Sequence, residues 1–133
     1  MITTVIDTHA VIWYYSGAPE LSADARRAID ETIMNGNEIA IASITLVEII
    51  YLVEKGRLAS ATLDLVLAAL DDLSLGLKLV PLDRAVSLAL RQIPRALVPD
   101  MPDRIITATA RRLNLPLVSA DRDIQASGVP IIW

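Results

Sequence analysis

The chain has 133 residues, enough for one domain with a real core and short of two domains of ordinary size. It contains no cysteine, which excludes disulfides and thiolate chemistry and suits a reducing cytoplasm. Its net charge of −4 argues against a protein that coats nucleic acid non-specifically.

That charge is unevenly spread. Residues 1–82 hold 5 basic and 11 acidic side chains, whereas residues 83–133 hold 7 arginines and 5 aspartates. If several of the acids sit on metal ions, the remainder of the C-terminal part is basic. Hydrophobic residues make up 53% of the chain without a single Phe, and the mean hydropathy is +0.48. So much aliphatic side chain in a small domain predicts a surface covered by a partner or a second copy. The longest apolar stretch, Ile39 to Val53, contains Ser43, Thr45 and Glu48 and is shorter than the roughly 20 residues of a membrane span. Neither a basic leader nor a small-residue cleavage site follows Met1. The expectation is a soluble, cytoplasmic protein that does not engage a membrane.

In chain order, Ile2–Ile6 is β-branched and ends at Asp7, which predicts a buried strand. A short helix is expected through Val11–Tyr15, stopped by Gly17 and Pro19. Ser22 is the expected N-cap of a helix ending at Asn35-Gly36. Glu38–Ala42 predicts a second strand, and Ser43 is expected to cap a helix that carries Glu48 and ends near Lys55-Gly56. A leucine-rich helix over about residues 60–74 precedes a strand at Leu77–Pro81 and a helix opened by Asp83. Pro94, Pro99 and Pro102 mark a loop, after which a helix runs from Asp103 to about Leu113. Leu117-Val118 and Val129–Ile132 complete the strands. Strands alternating with helices imply a parallel sheet covered on both faces, in one domain spanning 1–133.

Ligands of open α/β sheets bind at the carboxyl ends of the strands. Asp7 directly follows the first strand, Glu48 lies in the second turn after the second, and Asp121 follows Leu117-Val118. Asp103 opens the helix that leads into that last strand. Glu48 sits within Ile44-Thr45-Leu46-Val47-Glu48-Ile49-Ile50-Tyr51-Leu52-Val53, apolar nearly all round, so its carboxylate needs a cation or a proton. An arginine salt bridge would satisfy it, and helix capping would explain Asp7 or Asp103 taken singly. Four acids recurring at one sheet edge favour a shared cation instead. Without cysteine, and with His9 as the sole histidine, a zinc site of nitrogen and sulfur ligands is excluded. Clustered carboxylates suit Mg²⁺ or Mn²⁺, which bind phosphate oxygens and activate water. Thr8 and Ser119 are placed either to hold metal-bound waters or to serve as cap hydroxyls. No phosphate-binding glycine loop and no nucleophile elbow is present, and His9 is expected to pack rather than act as a base.

At this point the motifs resemble those of a known family. Val5-Ile6-Asp7-Thr8-His9 with Trp13, Ser43 to Glu48, Asp100 to Ala110 and Leu117 to Asp123 are similar, in order, to the four signatures of PIN-domain proteins of the VapC-like toxin class. The resemblance implies a three-layer α/β/α fold with a central parallel sheet, Mg²⁺ at the acidic cluster and endonucleolytic cleavage of RNA. Carried over by position, Asp7, Glu48, Asp103 and Asp121 take the catalytic acidic roles, and Asp7, Asp103 and Asp121 ligate metal. Asp123 is less firmly placed because the spacing of the last acid varies. Asp100 is assigned to the loop or an N-cap, since the proline that often follows it comes later here, at Pro102. The resemblance further implies a homodimer, silenced by a small antitoxin whose tail enters the acidic groove. DNA would be reached only through that antitoxin.

A polyanion still has to be held. Arg84, Arg91 and Arg95 share one helical face if the helix continues past Pro94, and with Arg104 and Arg122 they are candidate phosphate contacts. Trp13, Tyr14 and Tyr15 are candidates for base stacking, with the core the favoured place for Trp13. Two other functions use the same residues: a metal-dependent phosphatase or DNA nuclease, and a non-catalytic PIN-like module whose acids receive a partner's arginines.

Overall fold

The computed structural model describes residues 1–133. Its strands are β1 (Ile2–Ile6), β2 (Glu38–Ala42), β3 (Leu77–Val80), β4 (Leu117–Val118) and β5 (Ile131–Ile132). They form one sheet in the order β3-β2-β1-β4-β5, every pair parallel. Between them lie α1 (Thr8–Ser16), α2 (Ala23–Met34), α3 (Ser43–Glu54), α4 (Ser60–Asp71), α5 (Arg84–Ala89), α6 (Met101–Leu113) and α7 (Arg122–Gln125).

The two-residue period of the strands builds two cores. Ile6, Ile39, Ile41 and Val118 point to the face covered by α1, α2, α3 and α4, where Ala25, Ile29, Ile49 and Val66 meet them. Their neighbours Val5, Ala40, Ala42 and Leu117 point to the opposite face, against Ile106 and Ala110 of α6 and Ile124 of α7. This is the expected three-layer α/β/α arrangement. β1 lies at the centre, paired with β2 and β4 through Val5↔Ala40 and Val5↔Leu117. The chain reverses direction in the sheet order there, because β2 and β3 extend to one side of β1 and β4 and β5 to the other. The carboxyl end of β1 is therefore the topological switch point, where such sheets open a crevice.

Several boundaries differ from those read in the sequence, each for a local reason. α1 begins at Thr8, three residues early, because the Asp7 carboxylate accepts from the Ala10 amide at 2.9 Å and caps the helix there. Ser43 does not cap α3; it is already helical, and its hydroxyl accepts the Leu82 amide at 3.0 Å, fastening the residue after β3 to the start of α3. α6 begins at Met101, since Asp100 is its N-cap and accepts the Asp103 amide at 3.1 Å. α5 stops at Ala89 and gives way to a 3₁₀ turn at Leu90–Gln92, so Arg84, Arg91 and Arg95 do not share one continuous helix. The leucine-rich helix ends at Asp71, and Leu73–Leu75 forms a separate 3₁₀ turn. Gly76 follows at φ +71 with Ile33 and the Asn37 carbonyl close to where a Cβ would stand, so a side chain there meets both strain and a clash.

Ile106 is fully buried between the sheet and α6, on the helix that carries Asp103. Ile106→Ala is expected to lower unfolding free energy by about 2–5 kcal/mol. Urea denaturation should show a lower midpoint with an unchanged slope.

Candidate active site

Four elements deliver the four acids. Asp7 follows β1 and stays almost wholly buried, at 5% exposure, because its amide donates to the Val118 carbonyl at 3.1 Å and ties it beside β4. Glu48 projects from the second turn of α3, Asp103 from the first turn of α6, and Asp121 from the N-cap of α7, where it accepts the Ile124 amide at 2.9 Å. Capping thus accounts for one oxygen of Asp7 and one of Asp121. Asp103 is spared that duty by Asp100.

No arginine, lysine or histidine forms an ion pair with any of them, and the opposing charge influence at Asp7 and Glu48 comes from nearby His9: the ion pairs of the chain are Met1–Glu38, Arg27–Asp24 and Lys78–Glu38. The salt bridge considered for Glu48 is not formed. Its Oε1 instead lies 2.6 Å from the Thr8 hydroxyl, which also stands 3.0 Å from the buried Thr45 hydroxyl. Thr8 has a single proton. Given to Glu48, it leaves the Thr8 oxygen to accept from Thr45. Thr8 is therefore a hydroxyl that orients Glu48, not a free holder of water. Ser119 is fully buried; its hydroxyl neighbours Asp7 and accepts the Asp121 amide at 3.1 Å.

Charge crowding is the electrostatic signature of the site. Burial pushes the Asp103 carboxyl up to about 7, with further upward pressure from Asp121, Asp100, Glu48 and Asp7. Burial also raises Asp7 and Glu48; hydrogen bonds from Ser119 and Ala10 offset this at Asp7, and one from Thr8 does so at Glu48. Asp100, set aside from the sequence as a cap, does cap α6 but also contributes to the field at Asp103 and Glu48. Its signal was the Asp-x-x-Asp spacing on one helical turn. Asp123 is exposed in the first turn of α7.

No three of these side chains close on a common point in ready-made coordination geometry. A Mg²⁺- or Mn²⁺-type ion keeps several waters and needs only one or two carboxylates, so it does not require such a closed cage. The donor set is all oxygen, with negative charge in excess and no arginine or lysine paired to it. Asp7, Asp103 and Asp121, which feel one another's charge, are the residues that could hold such an ion.

Beside the acids runs a groove of about 400 Å³ between α1, α3 and the start of α6. Thr8, His9, Glu48 and Lys55 give it its polar lining, and Val47, Tyr51 and Met101 line it as exposed apolar side chains. Other sequence candidates lie elsewhere. Arg104 donates to the Ile93 and Leu90 carbonyls at 2.9 and 2.8 Å, so it tethers the loop before α6 and is not a free phosphate contact. Tyr14 donates to Asp30 at 2.7 Å and Tyr15 packs beside it against the core, which removes both from base stacking. Trp13 packs on that core between His9 and Trp133, as expected.

A family model described as the PIN domain matches residues 4–128. Ribonuclease VapC22 of Mycobacterium tuberculosis is 29% identical over 130 residues, covering 98% of this chain and 95% of that protein. Among solved structures, VapBC2 of Rickettsia felis bound to a promoter DNA fragment contains a similar chain, with TM-score 0.74 and 18% identity over 98% of this chain and 97% of that one. DNA-bound VapBC of Salmonella typhimurium gives TM-score 0.69 and 23% identity, over 98% of this chain and 97% of that one. At these identities the structural matches speak for the fold.

The raised Asp103 carboxyl has a consequence for stability. A carboxyl held near 7 when folded and near 3.8 when unfolded keeps its proton longer in the native state. The native state then binds more protons between those values, and stability falls as pH rises through that window. In EDTA, Asp103→Asn should melt at a higher temperature than the parent at pH 8 and close to it at pH 4. Scanning calorimetry at the two pH values measures the difference.

Proposed function

The chain belongs to the PIN domain family, and on that premise we propose that it is a divalent-metal-dependent endoribonuclease, the toxin of a type II toxin–antitoxin pair. The observation that carries this reading is the convergence of Asp7, Glu48, Asp103 and Asp121 at the switch point of a parallel sheet with no arginine or lysine in an ion pair with them. The similarity to Ribonuclease VapC22 and to chains of VapBC complexes supports it.

Asp7 and Asp103 would hold the ion, and Asp121 would complete the negative field around it. A divalent ion, when bound, supplies positive charge to phosphate oxygens and makes water a better nucleophile. The chain's own contribution is orientation. Glu48, held through Oε1 by the Thr8 hydroxyl, lines the groove beside the site, where it can order water or accept a proton. The α1 cap holds Asp7 rigid, and the bond between Asp100 and the Asp103 amide fixes the first turn of α6. The apolar wall of Val47, Tyr51 and Met101 suits the tail of a small antitoxin, which would close the site. DNA is then contacted through that antitoxin. Leu65 and Leu67 on α4 add exposed aliphatic surface of the kind a homodimer would cover.

Cleavage of a single-stranded RNA by the purified protein should stop in EDTA and return with Mg²⁺ or Mn²⁺. Asp7→Asn should reduce it by about 100-fold or more, as expected when a group that orders the metal is removed. Duplex DNA and a phosphomonoester should remain uncut, which separates this function from a DNA nuclease or phosphatase. Undiminished RNA cleavage in EDTA would refute it. A subtler change tests the orienting hydroxyls. Thr45→Val, which keeps the shape, should lower kcat by about 10-fold or more, whereas Thr45→Ser should stay near the parent.

A further inference from the structure

We propose that the outer face of α5 and the last turn of α6 form a phosphate track for single-stranded RNA, gripping the strand through Arg91, Arg111 and Arg112 several nucleotides from the point of cleavage. This track rests on the ribonuclease function argued above and extends it to how the substrate is held.

The first observation is the sorting of charge. Residues 84–99 carry three arginines and no acid, and residues 104–120 carry three more and no acid. One of the six, Arg104, is spent on the carbonyls of Leu90 and Ile93. The other five are exposed and none forms an ion pair. A favourable interaction of Arg111 and Arg112 with the helix dipole explains a basic end to α6. It does not explain Arg84, Arg91 and Arg95 on the neighbouring segment.

The second observation is a shaped depression between the two elements. It encloses about 400 Å³ and is lined by Ala85, Leu88, Ala89, Gln92, Arg111 and Arg112. Gln92 accepts from Arg111 Nε at 3.0 Å, which sets the guanidinium and leaves its terminal nitrogens unengaged by the chain. Arg91 is exposed in the 3₁₀ turn, next in sequence to Gln92 of the depression's lining. The Arg104 tether fixes this turn against α6, so the arginines are presented from a held surface.

The third is distance along α6. Asp103 lies in its first turn and Arg112 in its last, separated by nine residues, or about 13 Å of helix. A strand with its scissile phosphate at the acids therefore reaches the arginines only if it continues for several nucleotides. Backbone interactions of this kind are indifferent to sequence and add affinity that is released by salt. The small apolar floor of Ala85, Leu88 and Ala89 gives a ribose or base a surface to lie on.

The test compares the parent with a triple variant, Arg91→Ala with Arg111→Ala and Arg112→Ala, on two single-stranded RNAs that share one cleavage site. One is a tetranucleotide; the other extends it by ten nucleotides on each side. For the long RNA, KM should rise by about tenfold or more. The slope of log KM against log salt should fall by about 2, since each phosphate that is no longer neutralised accounts for about 0.7. Cleavage of the tetranucleotide, kcat on the long RNA and the melting temperature should stay at parental values. The corresponding triple lysine variant should recover most of the salt slope. An unchanged KM and slope on the long RNA would overturn the track, as would an equal loss of activity on both RNAs. A parent that cuts neither RNA would overturn the ribonuclease function itself, with the track falling as a consequence.

Discussion

Burial and mutual repulsion of carboxylates gathered at the carboxyl end of β1, with no arginine or lysine paired to them, are the constraint on which the rest of this structure turns. Burial alone raises an acid, and here each acid adds to the burden of the next, most heavily at Asp103. A fold selected only for stability would have placed one of its twelve basic residues here. Arg104, one residue from Asp103, is instead turned toward backbone carbonyls of the preceding loop. Native proteins tolerate such costs mainly where the strain serves a site.

The local geometry explains how the cost is contained. Three of the acids at this edge double as helix caps: Asp7 for α1, Asp121 for α7 and Asp100 for α6. Each cap bond stabilises a negative charge at a helix N-terminus while fixing the side chain in place. Glu48, which arises inside a helix and cannot cap one, is held by Thr8 with Thr45 behind it. Capping and ligation are therefore compatible uses of the same aspartates, because a carboxylate has two oxygens and a cap uses one. The groove beside them mixes apolar side chains with Glu48, His9 and Lys55, a surface suited to a partner with both greasy and polar side chains.

Much of this was legible in the sequence, and the remainder was hidden for identifiable reasons. The strands declared themselves through β-branched runs, and the placement of Asp7, Glu48 and Asp121 after strands located one edge of the sheet. The motif order supplied the family. What the sequence did not show was which polar side chain satisfies which backbone group. Ser43 reads as a cap, yet it accepts an amide 39 residues away. Arg104 reads as a phosphate contact beside an aspartate, yet it holds a loop. Arg84, Arg91 and Arg95 suggested one helical face, and the early end of α5 at Ala89 breaks it. In each case a tertiary hydrogen bond or a change of helix type, neither of which leaves a periodic trace, decided the outcome. Asp100 was read as a cap alone because its share in the acidic field depends on where α6 meets α3.

On the proposed function, Asp7 and Asp103 would together hold a divalent ion. Crystals soaked in Mn²⁺ and measured for anomalous scattering test it directly. A peak is expected between these two carboxylates, within about 2.0–2.3 Å of an oxygen from each. A map with no peak there, or with the ion bound elsewhere while the two acids turn to arginine or lysine, would contradict it.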